Sequence, residues 1–200
     1  MAPPDTFNPS NLSTDQWVRT AKSFGAKYVV LTLGHFSGFL LWPSKTYNYT
    51  VANTKWRHGK ANIAAEFMAS CKKYGLEYGF FYSVHNNWFM GVNEYFARPP
   101  YKQADFNRVA VAQMKELFGH RSPYRNPFYL WFDAGIKQGS PDIGPIIRSL
   151  ASDSICDECP TFAGNQGVRW VGNENAEAPL PNWYAVSDGM CNKHTAKGIF

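Results

Sequence analysis

The chain has 200 residues, of which 44% are hydrophobic, 16% aromatic and 18% charged. That much apolar material supports a packed core and excludes intrinsic disorder, and no run of about 18 apolar residues marks a membrane span. Twenty Lys+Arg against fifteen Asp+Glu give a net charge of +5; the basic residues are scattered along the chain with no Lys/Arg-rich run, which points away from a nucleic-acid partner.

Helix and strand signals alternate along the chain. Ser13-Thr14-Asp15-Gln16 has the form of a capping box, with the Ser accepting from backbone N–H groups and the Gln reaching back. Trp17, Ala21 and Phe24 follow at i, i+4 and i+7, which predicts one helical face, and Gly25 supplies a left-handed stop. The continuous apolar run from Tyr28 to Leu33 reads as a buried parallel strand. Ile63, Phe67, Met68 and Cys71 mark a second helix ending at Gly75, and Leu76 to Ser83 a second strand. Phe106, Val109, Ala110 and Leu117 mark a third helix that stops near Gly119. Phe128 to Phe132 is the third strand, ending at Asp133. Ile143, Ile146, Ile147 and Leu150 mark a fourth helix, and short strands are expected near Ile155 and over Val168 to Val171.

Alternating strands and helices argue for an α/β fold with a parallel sheet. An open doubly wound sheet and a (β/α)8 barrel both fit. No Gly-rich phosphate turn follows a strand, which counts against a nucleotide fold. Polar and aromatic residues (His35, Ser37, His85, Trp88, Asp133) gather just after several different strands, where barrel enzymes place their chemistry. The strand ends at Thr32, Ser83 and Asp133 fall about fifty residues apart. A barrel takes about 250 residues, so a barrel reading implies an incomplete one.

Cysteines stand at 71, 156, 159 and 191, and four cysteines allow three pairings. Cys156-Asp-Glu-Cys159 has no second CxxC and no His pair beside it, so a short-loop disulfide or two quiet thiols fit better than zinc. Two N-glycosylation sequons are present, Asn11-Leu12-Ser13 and Asn48-Tyr49-Thr50. The start, Met-Ala-Pro-Pro-Asp, has neither the basic nor the apolar part of a secretion signal.

Two acids stand out for catalysis. Asp133 ends an aromatic strand beside Trp131 and Phe132, which would hold a carboxylate at a strand tip. Glu174 follows a short strand in Arg169-Trp170-Val171-Gly172-Asn173-Glu174. Two carboxylates flanking one bond are what glycoside hydrolysis needs, and aromatic neighbours supply a flat wall for a sugar face. On spacing alone Asp142, Asp153 or Glu177 could replace either acid. His35 and His85 each follow a strand and read equally well as structural histidines. No HExxH pair and no GxSxG elbow occur, so neither a metal site nor a serine hydrolase is indicated, and no cofactor is expected.

Phe7-Asn8-Pro9, Trp17, Gly25-Ala26-Lys27-Tyr28-Val29-Val30-Leu31-Thr32, His35, Gly38-Phe39 and Leu41-Trp42-Pro43-Ser44 together resemble the α-L-fucosidase family of glycoside hydrolases. Tyr74-Gly75-Leu76, Phe81-Tyr82-Ser83, Leu130-Trp131-Phe132-Asp133 and the segment ending at Glu174 continue the resemblance in order, over residues 7 to 183. The resemblance implies a (β/α)8-like catalytic barrel, usually followed by a β-sandwich. It also implies cleavage of terminal α-L-fucose from glycans with retention, through a covalent fucosyl-enzyme. Its Trp-Phe-Asp nucleophile falls on Asp133, and the acid/base of the Gly-Asn-Glu branch falls on Glu174. His35 takes the place of the first His of a Lys-His-His-Asp-Gly-Phe motif that binds a fucose hydroxyl. Tyr82 and Trp131 fall on pocket-lining positions. A secreted or lysosomal location follows from the resemblance as well.

Three departures accompany it. The hydroxyl-binding motif reads Gly34-His35-Phe36-Ser37-Gly38-Phe39, without the Lys, the second His or the Asp. A His-Trp-Gly strand is expected ahead of Phe7, and the last barrel strands and the sandwich beyond Phe200. The expectation is therefore one partial catalytic domain over residues 1–200, active or else an inactive or fucose-binding homologue.

Overall fold

The computed structural model describes residues 1–133, 141–157, 167–168, 175 and 177. In chain order the main elements are α1 (Thr14–Ser23), β1 (Tyr28–Gly34), α2 (Ile63–Tyr74), β2 (Glu77–Ser83), β3 (Val92–Asn93) and β4 (Phe96–Ala97). They continue with α3 (Gln103–Phe118), β5 (Tyr129–Asp133), α4 (Gly144–Leu150), β6 (Ile155–Asp157) and β7 (Gly167–Val168). Strands β1, β2, β5, β6 and β7 form one sheet in that order, all neighbours parallel. β3 and β4 pair separately as a small antiparallel hairpin.

The strand order never reverses, whereas a doubly wound sheet reverses at its switch point. The helices agree with a singly wound sheet. Val18 and Ala21 of α1, Phe67 and Cys71 of α2, Met114 and Leu117 of α3 and Ile147 of α4 join one core cluster. The strands contribute Leu33, Phe80, Tyr82, Leu130, Phe132 and Cys156 to that same cluster. Side chains alternate across a strand, so all four helices cover one face. The other face carries Thr32, Phe81, Trp131 and Asp157 in one row and Ser83 with Asp133 in the next. No closed barrel is formed among the described residues.

Local chemistry explains the element ends. Ser13 Oγ accepts from the Gln16 N–H at 3.2 Å, but the Gln16 side chain donates forward to Thr20 Oγ1 instead of reaching back, so only half of the expected box forms. Gly75 caps α2 at φ +68°, a left-handed conformation that costs glycine little. The face expected of α1 is rotated. Thr14, Val18 and Ala21 are buried, while Trp17 is 38% exposed and Phe24 75%. The buried stripe is the i, i+4, i+7 row beginning at Thr14, which shares only Ala21 with the expected row. Cys156 sits inside β6, buried and disulfide-bonded. Cys71 is a free, buried thiol, which burial pushes up to about 11. Cys159 and Cys191 lie outside the described residues, as does the stretch of the last expected strand beyond Val168.

Candidate active site

Of the candidate residues, His35, Trp131 and Asp133 lie on the helix-free face of the sheet, at the carboxyl ends of β1, β2 and β5. Three strands bring them there by different means.

β5 contributes by simple alternation. Tyr129, Trp131 and Asp133 share one face, and Leu130 and Phe132 are buried against the helices on the other. Asp133 stands opposite Ser83 in the parallel register with β2, at the last paired position of both strands.

β2 contributes Phe81. Its ring meets Trp131 edge-on at 5.1 Å between centroids and stacks with His35 at 5.3 Å. Tyr82, expected in the pocket, does not join them. Being one residue on, it faces the helices, is 4% exposed, and its hydroxyl donates to Oε1 of the fully buried Gln113. Burial drives its phenol well above the usual tyrosine value, so it stays a neutral donor. The period of two in a strand decides this. Phe81 and Tyr82 are both aromatic, so composition could not tell which of them faces the mouth.

β1 contributes His35 through an irregularity. Its pairing with β2 slips between Thr32, opposite Phe81, and Gly34, opposite Tyr82. Regular alternation from Thr32 would send His35 to the helix side. The slip shifts the phase by one residue, as a bulge does. A side chain built on Gly34 would meet Leu40 at 3.0 Å and the Tyr82 ring at 3.7 Å, so Gly34 faces the helices and His35 the mouth. There His35 stacks with Phe36 at 4.1 Å as well as with Phe81.

The loop after β2 completes the rim. Phe36 contacts His85 at 5.8 Å and Trp88 at 6.1 Å, and His85 contacts Tyr95 at 4.6 Å. Asn86 braces this loop: its Oδ1 accepts from the Glu94 N–H at 2.8 Å. The β3–β4 hairpin that carries Tyr95 had no signal in the sequence beyond scattered turn residues, because its strands are two residues each.

Two further residues of this face escaped the sequence reading. Asp157 ends β6 in register with Trp131, is 8% exposed, and accepts from the Tyr129 hydroxyl at 3.0 Å through Oδ2. It was legible only as part of the Cys156–Cys159 spacing. Thr32 lies in the same row, opposite Phe81. Of the alternative acids, Asp142 precedes α4 and Asp153 precedes β6, at the opposite end of the sheet from Asp133 in the case of Asp153. Glu177 is exposed, and Glu174 lies outside the described residues.

What the site offers is a carboxylate at a strand tip, an imidazole and an aromatic wall, which suits a polar ring with one apolar face. Among the described residues no group of three or more His, Cys, Asp or Glu could hold a metal ion, and no helix is long and apolar enough to cross a membrane. A groove of about 390 Å³ lined by Glu77, Phe118, Arg125, Phe128 and Asp153 opens at the other, amino-terminal end of the sheet, the end that serves stability in barrels.

The family model for alpha-L-fucosidase matches residues 2–191. Alpha-L-fucosidase 1 of Arabidopsis thaliana is 30% identical over 185 residues, which are 91% of this chain and 34% of that protein. The tissue alpha-L-fucosidase of Mus musculus is 32% identical over 120 residues, 60% of this chain and 25% of that protein. Among solved structures, one provisionally named an alpha-L-fucosidase from Bacteroides thetaiotaomicron has a TM-score of 0.79 at 31% identity, covering 92% of this chain and 42% of that one. A second, an alpha-L-fucosidase of the same organism trapped as a covalent intermediate with 2-fluoro-fucosyl fluoride, has a TM-score of 0.62 at 27% identity, covering 77% and 36%. The chain spans about a third of the length of the plant relative. With a family model matched over nearly its whole length and the same fold in the solved relatives, this chain belongs to the alpha-L-fucosidase family.

Proposed function

We propose that this chain is part of the (β/α)8-like catalytic domain of a retaining glycoside hydrolase that removes terminal α-L-fucose from glycans. The observation that carries the reading is the position of Asp133. It ends the middle strand of the sheet, on the helix-free face, in line with the aromatic wall of Trp131 and Phe81. The one-way strand order and the single helical layer support a barrel segment, and the third-length match to relatives supports an incomplete one.

In this mechanism the Asp133 carboxylate attacks the anomeric carbon of fucose. The bond from that carbon to the leaving oxygen breaks, and the oxygen takes a proton from Glu174. Glu174, now ionised, then accepts a proton from water. The water oxygen attacks the same carbon from the opposite side to Asp133, which departs as carboxylate, and fucose leaves with its configuration retained. That course requires the two carboxyl groups to stand about 5–5.5 Å apart. His35 binds a fucose hydroxyl, and Trp131 packs against the apolar ring face. Tyr82 has no part in this wall; Phe81 takes the place on β2. A secreted or lysosomal setting is supported by the disulfide at Cys156, since such bonds persist in oxidising compartments.

A second reading, a fucose-binding homologue without turnover, draws on Phe36 and Ser37, which stand where the resemblance places a second His and an Asp. One experiment separates the two. The chain is incubated with 2-fluoro-fucosyl fluoride and mapped by mass spectrometry, and L-fucose binding is measured in parallel. An adduct on Asp133, absent from Asp133→Asn, supports the hydrolase. Fucose binding without an adduct favours the binding homologue. An adduct on another carboxylate, or neither adduct nor binding, overturns the assignment.

A further inference from the structure

The sequon Asn48-Tyr49-Thr50 lies in the long loop after β1, with its three residues in different surroundings. Asn48 is exposed, whereas Tyr49 is 8% exposed and Thr50 0%. The rings of Tyr47 and Tyr49 both pack on Phe89, at 4.8 and 5.0 Å between centroids, and Tyr49 also meets Phe39 edge-on at 5.2 Å. The Tyr49 carbonyl accepts from the Leu40 N–H at 3.1 Å, and the Leu40 carbonyl accepts from the Val51 N–H at 2.8 Å. Anchored residues on both sides therefore hold Asn48 out in water. Among the described residues its side-chain amide has no hydrogen-bond partner.

Transfer of a glycan to a sequon needs the hydroxyl two residues on as well as the Asn amide. In the folded chain that hydroxyl is engaged. Thr50 Oγ1 donates to Asn53 Oδ1 at 2.7 Å and accepts from the Ala52 N–H at 3.2 Å, capping the turn Val51–Asn53. On the unfolded chain all three residues are open to an enzyme. A glycan placed there does not hinder folding afterwards, because only Asn48 stays outside and a bulky polar chain belongs at the surface. The other sequon has no such lock. Asn11 is exposed, and Ser13 is half-buried at the start of α1, where its Oγ accepts from the Gln16 N–H.

We propose that Asn48 carries an N-linked glycan, and that this glycan is attached only before the loop after β1 closes. The donor is an oligosaccharide carried on a polyprenyl pyrophosphate. Asn48 Nδ2 bonds to the anomeric carbon of the first sugar, and the bond from that carbon to the pyrophosphate oxygen breaks. The pyrophosphate leaves with the electron pair, and Nδ2 gives one proton to a base of the transferase. The proposal rests on the secreted or lysosomal setting proposed above and not on the fucose site. The transferase works in the kind of oxidising compartment in which the Cys156 disulfide persists.

Two measurements test this. In the first, the chain is sent through a eukaryotic secretory pathway behind a cleavable signal, as wild type, Asn48→Gln and Asn11→Gln. It is mapped by mass spectrometry after peptide N-glycosidase, which turns a glycan-bearing Asn amide into a carboxyl. Most of the wild type and of Asn11→Gln should be converted at position 48, and Asn48→Gln should lose that signal with its circular dichroism unchanged. In the second, chain made without glycan is given to solubilised transferase and lipid-linked donor, either folded or as a tryptic digest, whose peptide 46–55 carries the sequon unfolded. The digest should accept a glycan at Asn48 more than about tenfold faster than the folded chain, which exposes Thr50 only by local opening. An unmodified position 48 in the secreted chain refutes the site, and equal acceptance by folded chain and digest refutes the timing. If the directed chain is modified and the protein from its natural source is not, the secretory setting falls and the proposal with it. The fucose assignment stands in each case.

Discussion

Tyr82→Phe tests the assignment of faces most directly, because it removes one oxygen from a residue that stands next to Phe81 yet points the other way. In the wild type the Tyr82 hydroxyl donates to Gln113 Oε1, while Gln113 Nε2 donates to Thr46 Oγ1 at 2.8 Å. Gln113 is 0% exposed, so no water replaces the lost donor. A buried acceptor left unsatisfied costs about 1–3 kcal/mol. For a domain of this length each kcal/mol lowers Tm by about 2–4 °C, so Tyr82→Phe should melt roughly 2–12 °C below wild type in differential scanning calorimetry. Removing both partners in Tyr82→Phe/Gln113→Leu should recover part of the loss, with a coupling of about 0.5–3 kcal/mol in the double-mutant cycle. Fucose affinity should be unchanged in Tyr82→Phe and should fall roughly two- to tenfold in Phe81→Leu, which removes a ring from the wall. If Tyr82→Phe melted like wild type and instead lost fucose binding, the phenol would face the sugar and the face assignment would be wrong.

Alkaline pH should destabilise the fold through the same layer of tyrosines. Burial pushes Tyr47 and Tyr78 up to about 12 and holds Tyr82 well above the usual tyrosine value. These groups keep their protons in the folded state after the unfolded chain has begun to lose them. Their contribution is therefore complete below about pH 10 and falls as pH rises toward 12, by on the order of 1 kcal/mol per pH unit for each well-buried phenol. Urea midpoints at a series of pH values measure this, and tyrosinate absorbance should show a fraction of the rings ionising only on unfolding; a flat midpoint up to pH 12 would refute it. Glu116→Ala should cost about 2–4 kcal/mol. Its carboxylate accepts from Trp42 Nε1 at 3.2 Å, Ser44 Oγ at 2.6 Å and the Lys45 N–H at 2.8 Å, clamping the long loop after β1 onto α3. Limited proteolysis should then cut within residues 42–50 first, and uncut loop at unchanged stability would show that the clamp is dispensable.

The order and type of the main elements were legible in the sequence because each carries its own local signal. The apolar runs at Tyr28 and Phe128 need no partner to be recognised as strands. Gly75 marks the end of a helix by the backbone it permits, and Ser13 marks the start of one by the N–H it satisfies. Asp133 was legible for the same reason: an acid at the end of an aromatic strand is visible without knowing what lies across from it. Tertiary structure decided which side chains share a face. The bulge in β1 arises from pairing with β2 and turns His35 toward the mouth, and no periodicity within residues 28–35 announces it. Phe81 and Tyr82 differ by one hydroxyl, and only the sheet register and the buried amide of Gln113 send the first to the mouth and the second to the core. The α1 stripe was misread because Trp17 and Phe24 are larger and more apolar than Thr14. Thr14 nevertheless faces α2, where its hydroxyl shares a hydrogen bond with Ser70 Oγ at 2.9 Å. Local chemistry fixes backbone conformation one segment at a time, whereas the face a residue presents depends on contacts with segments fifty residues away.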